Sequence, residues 1–154
     1  PRETLMARIL ILEARFYDHL ADGLLAGARA ELDAAGHAHD LVTVPGIFEL
    51  PAALAFHLAA AERGGAPRHD GFIVLGCAIR GETDHYHHIA TDCERGLTDL
   101  AVGHRLALGN GVLTCHDEAQ AQNRADPARR NFGGQAARAC LRMLALKRDL
   151  GLSQ

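Results

Sequence analysis

Phe72-Ile73-Val74-Leu75-Gly76-Cys77-Ala78-Ile79-Arg80-Gly81-Glu82-Thr83-Asp84-His85 decides the architecture of this chain. Its first four residues are a strongly apolar run, short and uninterrupted, as strands buried on both faces of a parallel sheet are. A loop from Gly76 to Asp84 follows, then a helix carrying Ile89, Cys93, Leu97 and Leu100 on one face.

The same grammar repeats on either side. Upstream, Arg8 to Glu13 is a short apolar strand, followed by Phe16 and by Asp18 as the expected N-cap of a helix. That helix carries Leu20, Leu24, Leu25, Ala28 and Leu32, and Gly36 stops it. Leu41 to Val44 is a brief second strand, broken by Pro45-Gly46; Leu50, Leu54, Leu58 and Ala61 then form a helical stripe that ends at Gly64-Gly65-Ala66-Pro67. Downstream, a fourth strand is expected over Leu106 to Thr114. Its Gly109-Asn110-Gly111 reads as a bulge or a close backbone approach rather than a hairpin turn. A helix is expected from Asp117 to Arg124, a break at Asp126-Pro127, and a last helix after Asn131 with Ala136, Cys140, Met143 and Leu150 facing inward.

Four strands alternating with helices predict right-handed crossovers and a three-layer α/β/α sandwich. The expected sheet is four-stranded and parallel, flavodoxin-like, in the order 2-1-3-4. Ligands in such sheets bind beyond the carboxyl ends of the strands, at the switch between strands 1 and 3. Three loops therefore matter first: Ala14 to Asp18, Pro45 to Glu49, and Cys77 to His85.

Bulk properties narrow the function classes. The 154 residues suit one domain, 1–154, and a net charge of -3 supplies no broad basic field for a nucleic acid. Every apolar run is far shorter than the roughly 18 residues that a membrane span needs. The chain opens at Pro1 with neither a Met nor a secretory signal pattern, so a few leading residues are expected to be missing. Cys77, Cys93, Cys115 and Cys140 form no CxxC pair and read as small buried side chains in a reducing compartment, the cytoplasm.

The third loop has the means to hold an anion. Unpaired N–H groups at a helix N-terminus attract negative charge, Thr83 and Asp84 suit the cap, and Arg80 adds positive charge. His85 falls in the first turn, and imidazole is the usual group for moving protons in a carbon–nitrogen condensation. His85 and His88 have the spacing of a metal pair, but His87 points elsewhere and no third ligand follows at a matching interval, so no metal is expected. Phe16 and Phe48, with Glu49, would make a stacking slot for a flat heterocycle. Taken alone, the same residues read more readily as core rings and a helix-dipole charge. Arg124, Arg129 and Arg130 cluster around a proline break, where an arginine has the geometry for a bidentate grip on phosphate.

Taken in order, Val44-Pro45-Gly46-Ile47-Phe48-Glu49-Leu50-Pro51, Gly76 through His85, Gly111-Val112-Leu113-Thr114, Gln120 with Arg124, and Asn131 with Gly133 resemble the lumazine synthase family. The resemblance spans nearly the whole chain. It implies condensation of 5-amino-6-ribitylamino-pyrimidinedione with 3,4-dihydroxy-2-butanone 4-phosphate, the penultimate step of riboflavin biosynthesis, with no metal or organic cofactor. It also implies that His85 transfers protons, that Glu82 and Thr83 bind the butanone phosphate, and that Arg124 reaches it from an adjacent subunit. Phe16 would stack on the pyrimidine; Ile47, Phe48 and Glu49 would hold the ribityl chain and ring edge, and Cys77, Ala78 and Ile79 the pyrimidine.

Two positions depart from the family pattern. Asn110 stands where a neighbour's phenylalanine commonly covers the ligand, and Phe132 where a lysine is common. The resemblance implies a homopentamer, which some members build into shells; Ala125-Asp126-Pro127-Ala128-Arg129-Arg130 replaces the turn of the shell formers and favours free pentamers. Two rival readings stand beside this one. A divergent lumazine-binding oligomer with little turnover would suit Asn110 and Phe132. A metal- or nucleotide-binding flavodoxin-like domain would need a glycine-rich loop after strand 1, and Ala14-Arg15-Phe16-Tyr17-Asp18 contains no glycine.

Overall fold

The protein is described by a computed structural model covering residues 6–152. Its elements alternate strictly at first: β1 (Arg8–Ala14), α1 (Asp18–Ala34), β2 (Ala38–Val44), a 3₁₀ turn (Ile47–Glu49), α2 (Leu50–Glu62), β3 (Gly71–Ile79) and α3 (His85–His104). β4 (Leu108–Cys115), α4 (Glu118–Ala125) and α5 (Phe132–Asp149) complete the chain. The sheet is parallel throughout in the order β2-β1-β3-β4, as the crossover argument requires.

Strand alternation splits the core into two layers. Ile9 and Ile11 of β1, with Ile73 and Leu75 of β3, pack under Leu24 and Leu32 of α1 and under Ala137 and Cys140 of α5. Leu10 and Leu12, with Phe72 and Val74, face Leu50 and Leu54 of α2 and Cys93 and Leu97 of α3. All four cysteines are buried free thiols. Among the described residues no helix is long and apolar enough to cross a membrane.

Several boundaries differ from the sequence-based expectation. The N-cap of α1 is Tyr17, which makes no side-chain cap, and Asp18 is the first helical residue, where its charge suits the helix dipole. β3 runs on to Ile79, because Gly76 through Ile79 pair in register with Val112 through Cys115; the first part of the expected loop is therefore strand. β4 starts at Leu108, two residues later than its apolar run suggests. In α5 the buried line is Ala136, Ala137, Cys140 and Leu144; Met143 and Leu150 are exposed, Met143 off that line and Leu150 beyond the last helical turn.

Gly109-Asn110-Gly111 forms no bulge, since Ile73, Val74 and Leu75 face the three residues one to one. The close approach is real, however: a Cβ on Gly109 would collide with the carbonyl oxygen of Ala136. Glycine at that site lets α5 lie directly on the sheet.

His37 is buried just past α1, and its Nδ1 accepts the Ala7 N–H at 2.9 Å, which ties the start of β1 to the α1–β2 turn. Burial, then the nearby Arg148, lower its pKa from 6.5, with Asp70 opposing. This contribution to stability is complete above pH 6.5 and declines as pH falls, because the unfolded chain then takes up a proton that the folded chain resists. Urea unfolding between pH 7 and 5.5 should show declining stability, and His37→Asn, which keeps an acceptor but does not titrate, should flatten the slope. Gly109→Ala should cost about 1–3 kcal/mol in the same assay at pH 7.5, through forced separation of α5 from β4.

Candidate active site

β1 and β3 are neighbours whose following helices leave to opposite faces of the sheet, which opens a crevice at their carboxyl ends. Three connections surround it. The Arg15 N–H continues the ladder to the Val44 carbonyl at 3.1 Å, joining the β1–α1 turn to the end of β2. The 3₁₀ turn packs down onto β3 because Gly76 lacks a side chain: a Cβ there would lie 2.7 Å from Ile47 Cγ2. The Arg80 N–H bonds to the Cys115 carbonyl at 2.8 Å, so the β3–α3 loop departs from a firmly paired strand end.

The resulting cavity measures 420 Å³. Phe16 and Tyr17 form one wall, Ile47, Phe48 and Glu49 another, and Cys77, Ala78 and Ile79 the floor; Thr83 and His85 stand at the start of α3. Neither phenylalanine is core: Phe16 is 74% exposed and Phe48 60%, and both line the opening. Phe16 meets Tyr17 edge to face at 5.0 Å. Such a space suits a flat heterocycle with polar edges. A larger groove of 710 Å³ runs along α3 beside Thr114 and His116, but it lacks stacking rings apart from Tyr86 and the imidazoles of His87 and His116.

The helix mouth has the expected cap residues in altered roles. Thr83 Oγ1 accepts the His85 N–H at 3.4 Å. Asp84 is the N-cap residue, yet its side chain makes no cap bond; its carbonyl accepts the N–H groups of His87 and His88 at 3.0 and 3.3 Å. Among the described residues no group of three or more His, Cys, Asp or Glu is placed to hold a metal ion.

Three of the residues that the family resemblance brings to the site do not line this cavity, nor do Arg80, Arg129 and Arg130. Glu82 is an exposed residue of the β3–α3 loop. Arg124, on α4, donates from Nη1 to Cys115 Sγ at 3.6 Å, and its guanidinium lies 5.9 Å from the Phe132 ring, with Arg130 at 5.3 Å from the same ring. Asn110 sits midway along β4, where its amide donates to Glu94 Oε2 at 2.7 Å and its oxygen accepts the Val112 N–H at 2.8 Å. Burial raises the Glu94 pKa, and the Asn110 bond works against that rise.

Sequence reasoning missed Tyr17, Tyr86 and Ile89 as cavity residues. Ile89 was within reach, because it follows His85 by four positions and so shares its helical face. It also missed Glu13 and Arg15, which flank the β1–α1 turn beside Phe16 and join at 2.6 Å.

The family model for 6,7-dimethyl-8-ribityllumazine synthase matches residues 6–148. A protein of that name from Paramagnetospirillum magneticum is 71% identical over 149 residues, covering 96% of this chain and 99% of the relative. The 6,7-dimethyl-8-ribityllumazine synthase 1 of Rhizobium meliloti is 54% identical, covering 93% of each chain. The Sphingopyxis alaskensis protein of the family name is 50% identical, over 96% of this chain and 99% of its own.

The buried cysteines, of which Cys77 lines the cavity, should be chemically quiet. Burial pushes the Cys77, Cys93 and Cys140 thiols up to about 12, and the thiolate is the reactive form. Iodoacetamide at pH 8 should leave all three unmodified in the folded protein and alkylate them after unfolding in urea, as read by mass spectrometry.

Proposed function

This chain belongs to the 6,7-dimethyl-8-ribityllumazine synthase family, and we propose that it carries out that family's chemistry in the cavity between the β1, β2 and β3 ends. It is a transferase of riboflavin biosynthesis that condenses 5-amino-6-ribitylamino-pyrimidinedione with 3,4-dihydroxy-2-butanone 4-phosphate to give 6,7-dimethyl-8-ribityllumazine. The observation that carries the site assignment is the meeting of two exposed phenylalanine rings, Glu49, Thr83 and His85 around one 420 Å³ space.

In this reading the pyrimidine stacks on Phe16, over Cys77, Ala78 and Ile79, while Ile47, Phe48 and Glu49 hold its edge and the ribityl chain. The butanone phosphate lies with its anion at the α3 mouth, near Thr83 and Glu82, where the helix dipole favours negative charge. His85, first residue of that helix, is close to both partners. Its imidazole moves the protons that imine formation, phosphate loss and ring closure require. Confining two substrates removes the entropy cost of their encounter, which accounts for much of the rate without further chemistry from the protein. A binder without turnover is not favoured, since a relative 71% identical carries the synthase name and His85 and Thr83 line one cavity.

We assign Asn110 and Arg124 to the cavity of a neighbouring copy in a homopentamer. Neither lines the cavity of its own chain, and β4, which carries Asn110 and leads into α4, is an edge strand of the sheet among the described residues. The outward face of α2 supports the same association, because it is alanine-rich and exposes Phe56. The two cores are the two faces of one sheet, which supports reading 1–154 as a single domain. Four free thiols support a reducing compartment, the cytoplasm.

His85→Ala should lower kcat by about 10²–10⁴, followed through lumazine fluorescence in an anaerobic assay with both substrates. Its sedimentation profile should match that of the unaltered protein. Full turnover by the purified variant would remove His85 from the mechanism.

A further inference from the structure

Glu13 is the most deeply buried charged residue among those described, 1% exposed, next to the end of β1 and preceded there by the aliphatic run Ile9 to Leu12. Burying a carboxylate is unfavourable unless it is paired and hydrogen-bonded. Glu13 Oε1 accepts from Arg15 Nε at 2.6 Å and from Thr43 Oγ1 at 3.2 Å, while Oε2 is buried with no hydrogen-bond partner among the described residues. The other end of the Arg15 guanidinium donates from Nη1 to Asp22 Oδ1 at 2.8 Å and to Asp18 Oδ1 at 3.2 Å. One side chain therefore bridges the end of β1 to the first two turns of α1, while its backbone N–H holds β2.

Phe16 lies in the turn that this bridge closes over. Alternation carried past the end of β1 places Glu13 and Arg15 on the α1 side and Ala14 and Phe16 on the opposite side, where Ala14 packs with Ile47. The Phe16 ring has little packing of its own, being 74% exposed with Tyr17 as its one ring contact among the described residues. Its direction is set from behind, by the backbone.

We propose that the Glu13–Arg15 pair is a positioning device for Phe16, holding the β1–α1 turn so that the ring presents its face to the pyrimidine substrate. This rests on the reading that Phe16 stacks on that substrate. Arg15 touches neither substrate; it acts through the backbone on either side of Phe16. A guanidinium is suited to the task because its planar fork holds several carboxylates in fixed directions, whereas an ammonium offers no such fork.

The test is steady-state kinetics on the intact protein, with each substrate varied at saturating levels of the other. Removing Arg15 alone would strand a buried charge, so Arg15→Met is made together with Glu13→Gln, which replaces both partners at once. The double variant should raise KM for the pyrimidine by roughly tenfold, while KM for butanone phosphate and kcat stay within about twofold, since misplacing one positioning group weakens only what that group holds. Arg15→Lys in the unaltered background should raise the pyrimidine KM by an intermediate amount, about threefold, because the charge pair with Glu13 persists while the fork that also reaches Asp18 and Asp22 is lost. Should the double variant fail to fold, Asp22→Asn removes the charge of one exposed partner of Arg15 and should raise the pyrimidine KM alone, by about two- to threefold, the scale of one weakened exposed charge pair. Parallel changes in both KM values and kcat, or an unchanged pyrimidine KM in these variants, would overturn the proposal. Phe16→Ala separates the two ideas. If it too leaves the pyrimidine KM unchanged, the stacking assignment fails; if it raises that KM while the double variant does not, only the positioning role fails.

Discussion

The hydrogen-bonded pairing of β1 with β3 is the constraint from which the rest follows. These central strands run parallel, residue for residue from Ile9 opposite Gly71 to Glu13 opposite Leu75. Parallel pairing puts their carboxyl ends on one edge, and chain connectivity sends α1 to one face and α3 to the other. The chain cannot close the gap between these departures with helix, so a crevice is left. Phe16 and His85 belong to connections on opposite sides of that crevice, and sheet order alone brings the two halves of the cavity together.

The edge of the crevice is held by polar contacts and absent side chains. Gly76 admits the 3₁₀ turn that carries Ile47, Phe48 and Glu49. Buried Glu13 makes sense only with Arg15 beside it, and their pairing fastens the turn that exposes Phe16. Two rings that would stabilise the fold by entering the core stay at the opening instead. Hydrophobic free energy forgone in this way is common at binding sites, where a ligand supplies the missing contact.

Asn110 and Phe132 have distinct local surroundings. Asn110 is engaged on both sides of its amide, by Glu94 and by the Val112 N–H, and so is a well-anchored part of the β4 surface. Phe132 has the Arg124 and Arg130 guanidinium groups within 5.9 and 5.3 Å of its ring. A cation over an aromatic face is stabilised by the ring quadrupole. An aromatic at this position therefore gathers positive charge beside the β4–α4 end of the sheet.

What the sequence determined by itself was the kind of element and its place in the order. The aliphatic runs at 9–12 and 72–75, and helical stripes such as Leu20, Leu24 and Ala28, are local patterns, and periodicity is enough to read them. The order 2-1-3-4 and the three loops at the strand ends followed from crossover handedness. Tertiary structure alone decided where β3 stops, because residues 76–79 become strand only when β4 lies alongside. It alone turned Phe16 and Phe48 out of the core, joined Glu13 to Arg15, and left Arg124 and Asn110 away from their own chain's cavity. The physical reason is that apolar spacing records how often a residue must face inward. The partner of a hydrogen bond, and the direction of a side chain past the end of a strand, depend instead on chain segments far away in sequence.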